Sequence, residues 1–146
     1  MHIRKMTGKD YDAVYALWLS TPGMGLNTAD DSREGIEGYL HRNPNTCFVA
    51  EEDGAVLGAI LAGHDGRRGY IYHTAVRGDM QRSGIGSSLV QAALQALREE
   101  GIRKVALVVF SRNEKGNVFW EKQGFLLRED LNYRNIALTE MVRIDT

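Results

Sequence analysis

The stretch of this sequence best suited to chemistry spans residues 77–90 and reads RGDMQRSGIGSSLV. Gly84 and Gly86 stand directly before a run of helix-forming residues. A glycine backbone can approach a bulky ligand closely because it has no Cβ atom. The first amides of a helix lack intrahelical partners and carry a partial positive charge, which favours an anion such as a diphosphate. With Gln81 and Arg82 beside the glycines, the stretch predicts an anion-binding turn built mainly from backbone.

Three interpretations of this glycine turn compete. A P-loop is excluded because Gly86 is followed by Ser87 and Ser88, with no lysine to meet the charge of a phosphate. A dinucleotide-binding fingerprint is disfavoured because its third glycine position holds Leu89, and a polar loop separates the preceding strand from the glycines. A turn without a ligand, in which Ser83 or Ser87 caps the helix, stays open as an alternative.

Side chains that can handle protons lie in the run just before the turn, GYIYHTAV. Tyr70 and Tyr72 share one face of a predicted strand because side chains alternate with a period of two, and both cross-strand packing and catalysis suit them. His73 falls on the opposite face unless a β-bulge intervenes, so we expect a partly buried histidine rather than a catalytic one. Tyr133 is expected to be an exposed turn residue, with closure over a ligand as the alternative.

Acidic residues are concentrated between the first two predicted helices, at Asp30, Asp31 and Glu34. They suit a cationic ligand, and they equally suit the positive N-terminal end of a helix. The histidines and the aspartate of the stretch 64–73 do not form a set with metal-ligand spacing, so no metal site is predicted.

The spacing of apolar residues predicts the elements that position these groups. The predicted strands are HIRKM, TCFVAEE, AVLGAILAG, YIYHTAV, KVALVVF, FLLRED and IALTEMVRI. Four helices are predicted. The first begins after Thr7 or Asp10, the second covers SREGIEGYLHRNP, the third follows Gly86 and ends at Gly101, and the fourth covers NEKGNVFWEKQG. The pair Asp53-Gly54 predicts a tight hairpin. Antiparallel strands followed by a βαβ unit predict an α/β (α+β) fold with a mixed sheet.

The composition sets the class of protein. The chain has 146 residues, which predicts a single domain over residues 1–146. A formal net charge of -1 gives no electrostatic reason to expect nucleic acid or an anionic membrane as partner. The single cysteine, Cys47, is expected to be a small buried hydrophobe. There is no apolar run long enough to span a bilayer and no signal-peptide core, so a cytoplasmic location is expected.

The glycine turn resembles a known family of enzymes. The hexapeptide QRSGIG, residues 81–86, is similar to the acyl-CoA-binding pattern Gln/Arg-x-x-Gly-x-Gly/Ala of the GNAT N-acetyltransferases. NTCFVAEEDGAVLGAILAG resembles the second and third strands of that fold, and VVFSRNEKGNVFWEKQGF resembles its fifth strand, fourth helix and terminal Gly-Phe. The resemblance implies a mostly antiparallel, twisted sheet with helices on both faces, splayed between strands 4 and 5.

The resemblance also implies residue roles. The backbone of Thr74, Ala75 and Val76 would pair with the pantetheine arm of the coenzyme as an added strand, and Asn113 would hydrogen-bond that arm. The pyrophosphate would be bound by a group of residues in the turn: Gln81, Arg82, Ser83, Gly84, Ile85, Gly86 and Ser87. Tyr72 lies on the face from which relatives project a base or a base-linked water, and it is the expected catalytic residue.

The implied reaction is acyl transfer from a thioester to an amine. Keeping a lysine-like amine neutral at pH 7 costs about 4.6 kcal/mol, so a base, a water chain or a desolvating pocket must recover much of it. Many relatives protonate the departing thiolate with a tyrosine where this chain has Trp120, and some use a glutamate as base near the position of Val108. An indole nitrogen is no practical acid at neutral pH. The usual acid and base of the family are therefore absent from their positions.

The resemblance implies an acetyl-CoA-dependent N-acetyltransferase that acts by direct attack in a ternary complex. Acetyl-CoA would be the co-substrate, a small-molecule or peptide amine the acceptor, and a homodimer a possible assembly. Two alternatives stay open: a non-catalytic CoA-binding or regulatory module, which Trp120 would suit, and an acetyltransferase for protein N-termini or lysines. The helix-loop segment 21–39 decides how open the acceptor site is.

Overall fold

The computed structural model describes residues 1–144 as a central β-sheet with helices on its two faces. The strands are β1 (His2–Lys5), β2 (Phe48–Glu52), β3 (Ala55–His64), β4 (Gly69–Val76) and β5 (Val105–Ala106). The helices are α1 (Tyr11–Leu19), α2 (Arg33–Arg42), α3 (Ile85–Glu99) and α4 (Glu114–Lys122), with short 3-10 turns at Gly8–Asp10 and Gly78–Met80. All four predicted helices and the first five predicted strands are present.

The strands lie in the order β1-β2-β3-β4-β5. The first four are antiparallel neighbours, and β5 runs parallel to β4. The predicted hairpin between β2 and β3 is confirmed: Asp53 and Gly54 have φ values of 51° and 79°, and two positive φ values in succession match the twist of a two-residue hairpin. The predicted mixed α/β fold is thereby confirmed.

The sheet has a hydrophobic core on each face. Val14, Trp18 and Leu40 of α1 and α2 pack on one face with Ala59 and Leu61 of β3. On the other face, the apolar residues of α3 pack against the alternate residues of the same strand: Leu89, Val90, Ala93 and Leu97 meet Ile60 and Ala62. Because both faces are covered, β3 is apolar almost without interruption rather than alternating.

The sheet opens between β4 and β5. In the described part of the chain, β5 pairs with β4 at Gly69 and Tyr70 alone, whereas β3 pairs along β4 as far as Val76. The second half of β4 therefore has one edge without a ladder partner. The register of β3 against β4 also shifts, since Ile60 pairs with Thr74 but Ala62 pairs with Ile71. The extra residue on β4 forms a β-bulge around residues 72–73, which re-aims side chains locally.

The two closing strands predicted from FLLRED and IALTEMVRI are not present, and this prediction was wrong. Within residues 1–144, the segment after α4 makes one isolated β-bridge, between Asn27 and Arg143. Leu127 and Leu138 are 81% and 94% exposed. β-propensity expresses how well a residue packs on a pleated surface with neighbours, so composition alone does not supply the partner. The predicted fifth strand is likewise reduced to Val105–Ala106, which leaves no long edge for further strands to join.

None of the helices described over residues 1–144 combines the length and the apolar character needed to cross a membrane.

Candidate active site

A cleft of about 1860 Å³ begins where β4 and β5 separate. Its walls come from the open half of β4, the turn before α3, the N-terminal part of α4, the loop before α2 and residues 107–110 after β5. Drug-sized ligands occupy pockets of roughly 300–1,000 Å³, so this cleft has room for a larger molecule together with a second reactant.

The turn before α3 has an unusual backbone. Arg82 has a φ of 66° and Gly84 a φ of 88°, so two left-handed residues lie within three positions. A left-handed conformation is costly for a residue with a side chain such as Arg82, and such strain is concentrated at functional sites. Gly84 is the N-cap of α3, and no side chain accepts a hydrogen bond from the first amides of this helix.

The other helices around the cleft are capped differently. The Ser32 hydroxyl accepts from the Gly35 amide at 3.0 Å at the start of α2. The Asn113 Oδ1 accepts from the Gly116 amide at 2.9 Å at the start of α4. Among these three helices, α3 alone has a glycine as its N-cap. Its first backbone amides therefore remain available to a ligand in the cleft. The prediction that Ser83 or Ser87 caps this helix is therefore wrong, because Gly84 is its N-cap.

Gly84 and Gly86 serve different purposes. A Cβ atom at Gly86 would lie 3.1 Å from the ring of Phe119, so the absence of a side chain lets α3 approach α4. A Cβ atom at Gly84 would meet nothing within 4 Å, and here glycine is favoured by the positive φ alone. The turn thus depends on one glycine for packing and on the other for backbone conformation.

Most of the residues assigned to the coenzyme line this cleft. They are Thr74, Ala75, Val76, Gln81, Arg82, Gly84, Gly86, Ser87 and Asn113. Two do not. The Ser83 hydroxyl donates to the carbonyl of Met80, and Ile85 is buried in the core with its side chain away from the cleft. For these two residues, a role in binding rests on the backbone amide.

Three tyrosines cluster where the bulge widens β4. The rings of Tyr70 and Tyr72 lie 4.7 Å apart, and Tyr39 of α2 contacts Tyr72 edge-on at 5.8 Å. Partial burial removes water from the Tyr70 hydroxyl and raises its pKa to about 12. Partial burial is also the main cause that raises the pKa of Tyr72, and the nearby Tyr133 is the second. A tyrosine with a raised pKa stays protonated at neutral pH, so Tyr72 is a hydrogen-bond donor there. Tyr133 is 66% exposed and lines the cleft.

His73 also lines this cleft, contrary to the expectation from strict alternation, because the bulge brings it beside Tyr72. Its Nε2 lies 2.7 Å from Oδ1 of Asp31, whose side chain is almost fully buried. The other carboxylate oxygen of Asp31 accepts from the Asn27 amide at 2.9 Å. Trp18 of α1 packs edge-on against the imidazole at 4.9 Å. Sequence reasoning missed this pair because its members are 42 residues apart.

Two side chains with buried polar atoms lie beside His73 and Tyr72. Among the residues described, Trp18 Nε1 and the Tyr39 hydroxyl are buried side-chain donors without a hydrogen-bond partner. Trp18 contacts His73, and Tyr39 contacts Tyr72. Burial raises the pKa of Tyr39 further above its usual value, so its hydroxyl stays protonated. Both side chains thus lie next to residues that line the cleft.

The charges around the cleft are divided between its walls. The turn before α3 and the helix α4 contribute Arg82, Lys115 and Lys122, with Glu114 as the one acidic neighbour on α4 that lines the cleft. The loop before α2 contributes Asp30 and Asp31. No group of three or more potential metal ligands occurs in residues 1–144. The sequence did not predict that Lys115 and Lys122 line the cleft, because the residue pattern of α4 does not indicate which of its faces lies toward the turn before α3.

The residues that replace the family's usual acid and base are also part of this region. Trp120 packs edge-on between the rings of Phe119 and Phe125, at 5.0 and 5.2 Å. Val108 is exposed and lines the cleft. Neither side chain can transfer a proton near pH 7. Proton transfer in this cleft must therefore involve other residues.

Comparison with known proteins identifies the family of this chain. The model of the Acetyltransferase (GNAT) family matches residues 11–125. An acetyltransferase of Pectobacterium atrosepticum is 31% identical over 122 residues, which cover 84% of this chain and 85% of that protein. The chain belongs to the GNAT acetyltransferase family and is an acyltransferase. The alternative of a non-catalytic module is accordingly set aside.

Solved structures show the same fold. Ard1 from Thermoplasma volcanium matches with a TM-score of 0.76 and 26% identity, covering 87% of this chain and 83% of that one. The PaiA N-acetyltransferase from Thermoplasma acidophilum, solved in complex with coenzyme A, matches with a TM-score of 0.76 and 19% identity, covering 88% and 91%. The chain therefore has the overall fold of these proteins.

Proposed function

We propose that residues 1–146 act as one GNAT domain that transfers an acetyl group from acetyl-CoA to a primary amine by direct attack in a ternary complex. The observation that carries the proposal is the glycine-capped start of α3, whose unpaired amides adjoin a cleft lined by the open edge of β4. The family assignment and the coenzyme A complex of a protein with the same fold support it.

The coenzyme has two kinds of binding group in this proposal. The amides of residues 82–87 bind the pyrophosphate, and Arg82 with Lys115 and Lys122 supplies positive charge around it. The open edge of residues 74–76 pairs with the pantetheine arm as an added strand. Asn113 already uses Oδ1 to cap α4, so its Nδ2 is the group that donates to this arm. Gln81 donates to the carbonyl of Val76 at 3.3 Å and so holds the turn against the strand.

The chemistry follows from the groups at the end of the cleft where Tyr39, Tyr70 and Tyr72 lie. The lone pair of the neutral amine attacks the thioester carbonyl, the carbon–sulfur bond breaks, and the thiolate leaves with its electron pair. The nitrogen loses one proton, which the thiolate takes up to form the free thiol. A thiol of pKa around 8.5 is a workable leaving group without full protonation, so the absence of an acid at Trp120 is tolerable. The Val76 amide serves the developing oxyanion, and Tyr72, protonated at neutral pH, donates a hydrogen bond to the reacting group.

The acceptor is a primary amine, either a small molecule or the amine of a peptide. Asp30 and the tyrosines line the acceptor end, and acidic and aromatic groups together favour a protonated, cationic amine. A panel of amino acids, polyamines, aminoglycosides and peptides, read out by release of free thiol from acetyl-CoA, separates these classes.

The cofactor site is tested by Gly84→Glu. A carboxylate placed beside the pyrophosphate repels it, so we expect no thermal stabilisation by acetyl-CoA and no thiol release. Gly66→Glu is the matched control, because Gly66 has a φ of 92°, has open space around its Cβ position, and lies outside the lining of the cleft. Equal stabilisation of Gly84→Glu and wild type by acetyl-CoA would show that the turn is not the pyrophosphate site.

A further inference from the structure

The acceptor end of the cleft contains a histidine–carboxylate pair to which the family resemblance gives no role. We propose that His73, oriented by Asp31, is the group that accepts the proton from the attacking amine. This inference rests on the proposed acetyl transfer and supplies the base that the positions of Trp120 and Val108 lack.

The pair has the geometry of an oriented base. Nε2 of His73 lies 2.7 Å from Oδ1 of Asp31, and the side chains are 13% and 3% exposed. Both residues line the cleft, and the imidazole is the more exposed of the two side chains. Asp31 is itself fixed, because Oδ2 accepts from the Asn27 amide and its carbonyl accepts from the Tyr11 hydroxyl at 2.6 Å.

The packing around the ring restricts its orientation. Trp18 contacts the imidazole edge-on at 4.9 Å, and the Tyr72 ring lies 6.4 Å away on the same strand. The β-bulge is what brings His73 to the cleft, since strict alternation from Tyr72 would turn it away. Bulges are common next to active sites because they re-aim a side chain without ending the strand.

The proton balance of the step is complete with these groups. A protonated amine gives its proton to the ring nitrogen of His73 that does not face Asp31, directly or through one water. The freed lone pair forms the carbon–nitrogen bond, and the electron pair of the carbon–sulfur bond leaves on sulfur. The nitrogen then gives its second proton to the departing thiolate, so the products are the amide, the free thiol and a protonated His73. With Nε2–H donating to Asp31, Nδ1 is the acceptor, and the carboxylate stabilises the imidazolium that forms.

Other titratable groups surround the pair, and each must be considered in a pH profile. They are Asp30 in the loop before α2, Tyr11 in α1, Tyr39 in α2, Tyr70 and Tyr72 in β4, and Tyr133 after α4. Burial raises the pKa values of four of these tyrosines, which therefore remain protonated at neutral pH: Tyr11, Tyr39, Tyr70 and Tyr72. Because the acceptor amine and the carboxylates beside His73 also change charge with pH, comparison of variants, rather than the wild-type profile alone, identifies the group that accepts the proton.

The chain contains a matched control for this pair. Nε2 of His64 lies 2.7 Å from Oε1 of Glu100, the same separation as in the proposed dyad. Neither His64 nor Glu100 lines the cleft. A histidine–carboxylate contact that only stabilises the fold is thus available for comparison in the same molecule.

The experiment compares His73→Gln and His64→Gln with wild type, using the panel amine that gives the fastest thiol release. Glutamine retains a donor for Asp31 but takes up no proton near neutral pH. We expect His73→Gln to lower kcat/KM about 100-fold or more, to lose the rise of kcat/KM between pH 5.5 and 8, and to keep the thermal stabilisation by acetyl-CoA. His64→Gln is expected to keep both the rate and the profile.

A second variant keeps the test decisive if His73→Gln does not fold. Asp31→Asn removes the charge that stabilises the imidazolium, so the pH limb moves to lower pH and kcat/KM falls. A purely structural role for Asp31 would lower stability without moving that limb. The inference is overturned if either variant retains the wild-type pH limb with kcat/KM within threefold of wild type.

The same measurements separate this inference from the proposed function. If wild type binds acetyl-CoA but releases no thiol with any amine in the panel, the proposed function fails, and the inference fails with it. If wild type turns over and the His73 variant does so equally well over the whole pH range, only the role of His73 is wrong.

Discussion

The two ends of the cleft are built on different principles. The end at α3 is made mainly by the backbone of one contiguous stretch, residues 74–87, with side chains of α4 beside it. The opposite end is made by side chains from four separate elements, among them Trp18, Asp31, Tyr39 and His73. Backbone amides have a fixed charge distribution, whereas imidazole and carboxylate groups change theirs with pH. The first end is thus suited to holding a constant ligand, and the second to moving a proton.

The largest expected effect comes from closing the backbone end. Gly86→Val places a branched side chain where the Cβ alone would be 3.1 Å from the Phe119 ring. Overpacking of this kind costs about 1–3 kcal/mol of the free energy of unfolding, and displacement of α3 from α4 removes acetyl-CoA binding. Denaturant unfolding and thermal shift with acetyl-CoA measure the two losses.

Gly38→Val is the matched control for Gly86→Val. Gly38 also lies inside a helix, but nothing is within 4 Å of its Cβ position. We expect coenzyme binding by the Gly38 variant to equal that of wild type. If both valine variants bind acetyl-CoA equally well, close approach of α3 and α4 is not required for the coenzyme.

A smaller effect is expected at the side-chain end. Tyr72→Phe removes one hydroxyl and keeps the ring contacts with Tyr39 and Tyr70, so kcat should fall about 3- to 10-fold with acetyl-CoA binding intact. Because burial raises the pKa of Tyr72, the hydroxyl is protonated throughout pH 6–9, and its loss should leave the pH profile unchanged in that range. Steady-state kinetics against pH measure both.

The control for the tyrosine is Tyr15→Phe, on α1 and outside the lining of the cleft. It should leave kcat unchanged. Loss of the limb between pH 5.5 and 8 in Tyr72→Phe would contradict the assignment of proton transfer to His73 and return it to the tyrosine.

The smallest effect is expected from charge at the rim of the backbone end. Lys115→Gln and Lys122→Gln each remove one cation from a wall of the cleft but no backbone amide. We expect each to weaken acetyl-CoA binding about two- to fivefold, and less at high salt, because exposed charges contribute little and are screened. Titration calorimetry at two salt concentrations measures this, with Lys9→Gln, outside the cleft, as the control.

A larger loss in the lysine variants would change the contrast between the ends. If either lysine variant abolished binding as completely as Gly84→Glu, side-chain charge rather than backbone would dominate the coenzyme end. Both ends of the cleft would then act through side chains, and they would differ only in which types of side chain they contain.

Much of the fold could be read from the amino-acid sequence because its signals are local. The apolar stripe Val14, Leu17 and Trp18, the hairpin at residues 53–54, and the glycines Gly101 and Gly124 after α3 and α4 each act within a few residues. Both of these glycines have the positive φ that ends a helix. The C-terminal segment was misjudged because strand pairing is a long-range property that composition does not express.

The sequence by itself determined the turn between β4 and α3, since glycine positions and the start of a helix specify backbone conformation and free amides without reference to the rest of the chain. Only the tertiary structure decided the opposite end of the cleft. His73 reaches Asp31, 42 residues away, because β4 bulges against β3 and because Trp18 packs against the imidazole. Each of these contacts depends on how separate elements pack, and such packing is a cooperative property of the whole fold.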